Sequence, residues 1–125
     1  MSSGLDLLDA SALLAVLGNE PGSDTIRDLV PGGMISAVNF AEVLKKLLDR
    51  GMPKATVLDA LKSLNLEVLP FSSSEALHSA DFIHPAISLA GRACLGTAQL
   101  YGYRVVTGES NWVPIRQEVP VYVFR

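Results

Sequence analysis

The sequence predicts an α/β protein, specifically a three-layer α/β/α domain with a mainly parallel sheet of four or five short strands. The main observation is that short apolar runs alternate with stretches of helical periodicity, which is the pattern of βαβ units. A second observation is that the 125 residues contain no linker, repeat or low-complexity segment. We therefore expect a single domain over residues 1–125, large enough to bury its own core.

The predicted elements are bounded by residues that favour helix and strand ends. The clearest helix carries an apolar stripe at i, i+3, i+4, i+7 and i+8 from Phe40 to Leu48. Residues expected at the starts and ends of helices are Gly18, Pro21, Gly51, Pro53, Ser72, Ser88 and Gly102. The predicted strands are residues 5–8, 34–36, 66–69, 103–106 and 119–124.

Composition excludes several classes of protein. A mean hydropathy of +0.32 with 18% charged residues argues against disorder. The net charge of −3 gives no general attraction for nucleic acid, so such binding would need a local patch. The single cysteine, Cys94, excludes an internal disulfide framework. No secretory leader and no apolar run of roughly 20 residues is visible, so we expect a cytoplasmic protein without a membrane anchor.

Acidic residues follow three of the predicted strands. Asp9 follows the first strand, Glu42 lies in the helix after the second, and Glu109 follows the fourth. Because functional groups collect at the carboxyl ends of parallel strands, we expect these acids to converge at one edge of the sheet. Clustered carboxylates repel each other unless a divalent cation neutralises them, so the pattern indicates a metal site.

Each acid also has a purely structural interpretation. Asp9 is a good N-cap for the helix that begins near Ser11. Glu42 could form a surface ion pair with Lys46, four residues on. Glu109 could be an ordinary turn residue. Taken singly, these residues leave structural and functional interpretations open.

Four separated segments together resemble the motifs of PIN domains, and most closely those of the ribonuclease toxins of VapBC-type toxin–antitoxin pairs. The segments are LDASALLA at 8–15 with NEPG at 19–22, ISAVNFAEV at 35–43, LAGRACL at 89–95, and VVTGE at 105–109 with Trp112 after it. They occur in the family's order and spacing over nearly the whole chain.

The resemblance implies a ribonuclease that depends on Mg²⁺ or Mn²⁺, in which acidic side chains hold the metal that activates a water for attack on the phosphodiester. Asp9, Glu42 and Glu109 match catalytic acids of the family, and the metal-binding positions are Asp9, Glu109 and position 91. Glu109 stands where the family usually has Asp. The candidates for contact with the substrate are Arg92, Ser11, Asn39, Thr107 and Lys46, of which Arg92 directly follows the acid in the family pattern.

The third motif departs from the family. Residues 88–92 read Ser-Leu-Ala-Gly-Arg where the family has Ser-Leu-Gly-Asp-Arg, so Gly91 replaces a metal-binding Asp. With Ser88 as N-cap, position 91 is N3, where an acid would suit the helix dipole and glycine costs helix stability without visible gain. We therefore expect the fold to survive and the nuclease activity to be weak or absent. A natural loss and an introduced substitution are equally compatible with the sequence.

The resemblance also implies partners. RNA would be the substrate, a cognate antitoxin would cover the acidic groove, and the chain would form a homodimer. The alternative is a catalytically degenerate PIN domain that binds RNA or protein without cleavage. A receiver-like phospho-acceptor domain is disfavoured, because residues 70–72 are Pro-Phe-Ser where such a domain needs an acceptor Asp.

Overall fold

Five parallel strands form the centre of the molecule in the computed structural model, which describes residues 5–115 and 119–125. The strands are β1 (Asp6–Leu8), β2 (Met34–Ser36), β3 (Glu67–Leu69), β4 (Arg104–Thr107) and β5 (Val121–Val123). They lie in the order β3-β2-β1-β4-β5, and every neighbouring pair is parallel. The central position of β1 explains its Leu-Leu pair, because a strand covered on both faces needs apolar residues in succession.

Helices cover both faces of the sheet. They are α1 (Ala10–Leu17), α2 (Ala37–Asp49), α3 (Lys54–Ser63), α4 (Ser73–Ser79) and α5 (Leu89–Tyr101). Leu8 belongs to a core that includes residues of α1, α2 and α3, whereas Leu7 belongs to a second core that includes residues of α5. Since neighbouring residues of a strand point to opposite faces, these two cores are the two sides of the sheet. The predicted three-layer α/β/α architecture is confirmed.

Most predicted boundaries are confirmed to within a residue or two. Gly18 and Gly102 cap α1 and α5, and the Ser88 hydroxyl accepts the Gly91 N–H as the N-cap of α5. The helix expected after Pro21 was wrong, because the structure has two short 3-10 helices at Ser23–Thr25 and Arg27–Leu29. Ile26, with φ −118° and ψ 2°, separates them, and their hydrogen bonds follow the i to i+3 pattern.

The strand order brings the ends of β2, β1 and β4 side by side at the carboxyl edge of the sheet. The side chains that follow these three strands are therefore neighbours although they are far apart in the sequence. In the described part of the chain, no helix has the length and apolar character needed to span a bilayer.

Candidate functional site

A cavity of about 270 Å³ opens at the carboxyl edge of the sheet. Its lining consists of Asp9, Ser11, Asn39, Glu42, Lys46, Ala86, Ser88, Gly91, Glu109 and Trp112. The expected convergence of the three acids is thus present in the geometry, since Asp9, Glu42 and Glu109 all face this cavity. Of the remaining predicted site residues, Ser11, Asn39, Lys46 and Gly91 also line it, whereas Thr107 and Arg92 do not.

Asp9 is both a helix cap and a cavity residue. One carboxylate oxygen, Oδ1, accepts hydrogen bonds from the Ser11 hydroxyl at 2.7 Å and from the Ala12 N–H at 3.0 Å. The other, Oδ2, accepts one from the Thr107 hydroxyl at 2.7 Å. The side chain is therefore fixed in orientation, and the same carboxylate caps α1 and lines the cavity.

The electrostatics of Asp9 favour a proton or a cation in the cavity. Burial raises the pKa of Asp9 from 3.8 to about 6, against the opposing effect of the hydrogen bonds from Ser11, Thr107 and Ala12. The negative charge of Glu109 raises this pKa further. The ionised form of Asp9 is consequently disfavoured by its surroundings, and a divalent cation in the cavity would stabilise its negative charge.

Cys94 is fully buried close to these acids. Burial, with smaller contributions from the charges of Asp9 and Glu42, holds the pKa of its thiol well above the usual range. Cys94 is a small core residue, since it lies in the apolar core on the α5 side of the sheet.

Thr107 supports the site from beneath. It is fully buried and does not line the cavity, so its expected contact with substrate has no support in this geometry and stays a prediction. Its hydroxyl instead donates to Asp9 and accepts the N–H of Glu109 at 2.9 Å, while the N–H of Gly108 donates to Ser11 Oγ at 2.8 Å. Thr107 and Ser11 thereby connect the turn that carries Glu109 to the Asp9 carboxylate.

Helix α2 contributes one cation and two polar groups to the cavity. Lys46 Nζ lies 3.8 Å from Glu42 Oε2, so the predicted pair is present. Asn39 is buried and accepts the Ser36 hydroxyl, and its Nδ2 donates to Ala90 O at 3.0 Å. This last bond joins α2 to the beginning of α5, so Asn39 positions two walls of the cavity.

Gly91 is tightly packed, and the expectation that glycine brings no gain there was wrong. A Cβ at this position would lie 2.8 Å from Trp112 Cζ2 and 2.9 Å from Ile87 Cγ2. The absence of a side chain therefore lets the indole ring lie where the expected Asp would begin. Trp112 is buried and forms part of the apolar core on this side of the sheet.

Arg92 does not reach the cavity lining. It is half-buried, and its Nε atom is buried without a hydrogen-bond partner among the described residues. The structure thus leaves the predicted contact of Arg92 with substrate without geometric support.

The oxygen ligands of the cavity fit a hard cation that keeps some of its water ligands better than a cation held by protein ligands alone. Carboxylate oxygens are the ligands that Mg²⁺ and Mn²⁺ prefer, and Mg²⁺ commonly takes one or two carboxylates and keeps several waters. Within residues 5–115 and 119–125, no three acidic, His or Cys side chains are placed to hold one ion together. Position 91, where the resemblance implies a carboxylate, is a glycine against which Trp112 packs.

Three further residues of the lining were not predicted as site residues: Trp112, Ser88 and Ala86. Ser88 was predicted only as a helix cap, and Trp112 only as part of a motif. The signal that could have identified Trp112 is its position three residues after Glu109, since in the 3-10 helix Ser110–Ile115 its N–H donates to Glu109 O at 3.2 Å. Ala86 carries no chemical signal in the sequence.

Comparison with known proteins agrees with the geometry. The chain shares its fold with a toxin–antitoxin complex from Klebsiella pneumoniae (18% identity, TM-score 0.73, 94% of this chain and 95% of the other covered). It is similar to FitAcB from Neisseria gonorrhoeae (21%, 0.70, 94% and 96%) and to VapBC-1 from nontypeable Haemophilus influenzae (14%, 0.72, 96% and 98%). No curated protein sequence matches significantly. The PIN domain family, however, matches residues 7–115, and the chain belongs to this family.

Proposed function

We propose that the protein is a ribonuclease that depends on a divalent metal ion and acts as the toxin of a toxin–antitoxin pair. The observation that carries this proposal is that Asp9, Glu42 and Glu109, from three distant parts of the sequence, line one cavity. PIN domains include nucleases of this kind, and similar folds occur in structures described as toxin–antitoxin complexes.

Asp9 and Glu109 would hold the metal ion. A bound Mg²⁺ or Mn²⁺ would lower the pKa of a water and offset the charge that develops on the phosphate. Asp9 is suited to this task because Ser11, Thr107 and the Ala12 N–H hold its carboxylate in one orientation. Metal sites commonly gain precision from such hydrogen bonds to the ligating carboxylates.

The remaining roles fall to groups on the cavity wall. Glu42 would act as the third catalytic acid, and Lys46 beside it would attract the RNA phosphate. Ser11 lies in the lining with its hydroxyl already bound to Asp9, so it acts mainly through that carboxylate. Asn39 keeps the α2 and α5 walls together.

The packing around Gly91 favours low activity. The carboxylate that the resemblance implies at position 91 is absent, and the indole ring of Trp112 lies where that side chain would begin. This same observation favours the second candidate function, a PIN domain that binds RNA or protein without cutting. The retention of Asp9, Glu42 and Glu109 favours the enzyme.

A cognate antitoxin and a second copy of the chain are the proposed partners. Leu77, Ile83 and Leu89 are 73%, 81% and 75% exposed, which is a large apolar exposure for one small domain. Analytical ultracentrifugation of the chain alone tests whether it forms a dimer. The same measurement after co-expression with the product of the adjacent gene tests the association with an antitoxin. A monomer that sediments alone in both samples would contradict this part of the proposal.

The cleavage experiment uses a mixed RNA pool with Mn²⁺ or Mg²⁺. We expect weak, EDTA-sensitive cleavage by the natural sequence and none by Asp9→Asn. The matched control is Asp6→Asn, because Asp6 lies at the opposite end of β1, paired with Arg104, and should leave cleavage unchanged. Equal cleavage by Asp9→Asn and the natural sequence would contradict the proposal.

Two further variants test the missing acid. Gly91→Asp restores a carboxylate but must displace Trp112, whereas Gly91→Asp combined with Trp112→Phe removes part of the obstructing ring. We expect the double variant to cleave more than the single one. If neither variant cleaves RNA while circular dichroism shows that both are folded, the result supports the alternative of a PIN domain that binds without cutting.

A further inference from the structure

The segment NEPG at residues 19–22, which follows α1, has no role in the acid cavity described above. The structure gives it a contact with the end of the sheet. Glu20 Oε1 accepts a hydrogen bond from Arg125 Nη1 at 2.6 Å, although the two residues are 105 positions apart. We call this pair the Glu20–Arg125 clasp.

The parallel arrangement of β5 explains how Arg125 reaches the carboxyl edge. Thr107 of β4 pairs with Val123 of β5, and the N–H of Phe124 donates to Thr107 O at 3.0 Å. The chain therefore leaves β5 at the same edge as the acids. Gly22, with φ +87°, permits close approach on the other side, since a Cβ there would lie 3.1 Å from both Arg125 Cβ and Phe124 O.

The guanidinium group of Arg125 covers the turn that follows β4. A Cβ on Gly108 would lie 2.6 Å from Arg125 Nε and 3.0 Å from Cζ. On its other side the same turn donates its Gly108 and Glu109 N–H groups to Ser11 and Thr107. The turn is therefore held between the clasp and the groups that bind Asp9.

Glu109 depends on this turn for its position. Its side chain is exposed, and its carboxylate has no hydrogen-bond partner in the described part of the chain. The backbone of the turn is then the main determinant of where the carboxylate lies relative to Asp9. A device that restrains Gly108 also restrains Glu109.

We propose that the Glu20–Arg125 clasp is a positioning device that fixes the Gly108–Glu109 turn and so places the Glu109 carboxylate at the acid cavity. The effect on metal binding rests on the proposed function, whereas the restraint on the turn does not. Glu20 and Arg125 are positioning residues, since neither lines the cavity. Both side chains are about one third exposed, so their ion pair adds little to global stability.

The test combines amide hydrogen exchange with Mn²⁺ titration. The variants are Arg125→Met and Glu20→Ala, and the matched control is Arg104→Met. Arg104 also pairs with a carboxylate, Asp6, but at the amino ends of β4 and β1. In the clasp variants we expect exchange at the Gly108 and Glu109 amides to rise by about tenfold, with unchanged exchange in the control.

The second measurement is the affinity for Mn²⁺, which should weaken in the same variants in which the turn exchanges faster. We expect the Kd for Mn²⁺ to rise roughly tenfold in both clasp variants, as for other groups that orient metal ligands, and to stay unchanged in Arg104→Met. Arg125→Lys keeps the charge opposite Glu20 but loses the planar group over Gly108. Arg125→Lys should therefore recover part of the Mn²⁺ affinity that Arg125→Met loses. A general loss of stability would not produce this partial recovery.

The outcomes separate the two proposals. Unchanged exchange at Gly108 and Glu109 in the clasp variants would overturn the clasp. Faster exchange with an unchanged Kd for Mn²⁺ would overturn its role in placing Glu109. If the natural chain binds no Mn²⁺, the proposed metal-dependent function fails, and the exchange data still decide whether the clasp restrains the turn.

Discussion

Asp9 is both buried and ionisable, so its ionisation lowers the free energy of unfolding by an amount that depends on pH. Its pKa rises from 3.8 to about 6 on folding, so the folded protein binds this proton more tightly than the unfolded chain does. The contribution of Asp9 to the free energy of unfolding therefore decreases as the pH rises from 3.8 to about 6 and is constant above that range. In the absence of a cation, Asp9 opposes folding at neutral pH.

Replacing Asp9 by Asn tests this directly. In EDTA we expect the free energy of unfolding of the natural chain, relative to Asp9→Asn, to fall by about 2 kcal/mol between pH 4.5 and pH 7. Urea unfolding at a series of pH values measures the difference. Glu75, whose pKa the hydrogen bonds from Ser72 and Tyr101 lower to about 2, gives its full stabilisation above pH 4.5 and does not interfere. A difference independent of pH would show that Asp9 is not buried as described.

Residue types indicated the acids of the site, but not what surrounds them. The convergence of Asp9, Glu42 and Glu109 could be predicted because residues that follow parallel strands meet at one edge of the sheet. The buried position of Thr107 could not, because a Thr at a strand end is equally suited to solvent or to a hydrogen bond beneath its neighbour. Likewise, a glycine at position 91 is explained only by the indole ring of Trp112 packed against it. This is a tertiary contact, which helix propensity does not indicate.

Helices α4 and α5 lie unusually close together, and a glycine explains why. A Cβ on Gly96 would lie 2.4 Å from Ser79 N and 2.6 Å from Ser79 Cα. These are backbone atoms, which cannot rotate away as a flexible side chain can. Next to this contact, Tyr101 of α5 donates its hydroxyl to the buried carboxylate of Glu75 in α4 at 2.5 Å.

We therefore expect Gly96→Ala to destabilise the fold although alanine favours helix. The separation of α4 from α5 should cost about 1–3 kcal/mol, which exceeds the roughly 1 kcal/mol that alanine gains over glycine in a helix. Chemical denaturation measures the net change, and Gly96→Val should lower stability further. An increase in stability for Gly96→Ala would show that the two helices are not in this contact.

At the scale of elements, the sequence predicted most boundaries because caps and breakers are local. Ser88, Gly18 and Gly102 act on their own helices, and no distant residue is needed to read them. The segment from Pro21 to Leu29 was mispredicted as helix for a complementary reason. Its buried residues, Ile26 and Val30, anchor short 3-10 turns to the core, and their spacing alone resembles a helical face.

At the scale of the whole molecule, the parallel direction of all five strands brings Asp9 and Glu109 to the same edge of the sheet. With β1 between β2 and β4, the residues that follow these strands have no alternative direction in which to leave the sheet. Repulsion between Asp9 and Glu109 is the electrostatic consequence, and it adds a smaller increase to the rise in the pKa of Asp9 that burial causes. A cation at this edge would bind the folded protein and not the unfolded chain, so it would stabilise the fold.

Thermal unfolding with and without Mn²⁺ measures this linkage. A Mn²⁺ concentration of about 100 times Kd corresponds to about 2.7 kcal/mol, or a rise in Tm of about 10 °C for a chain of this length. The rise should be larger at pH 7.5 than at pH 5, because at pH 5 the ion must displace a proton from Asp9, whose pKa is about 6.

Asp9→Asn should remove most of this rise, whereas Asp6→Asn, at the opposite edge of the sheet, should retain it. The Asn variant keeps the shape of the side chain but loses its charge and one acceptor oxygen, so the comparison with Asp6→Asn isolates the carboxylate at the acidic edge from a general loss of negative charge. Equal shifts in both variants would place the ion elsewhere on the protein and separate the acidic edge from metal binding.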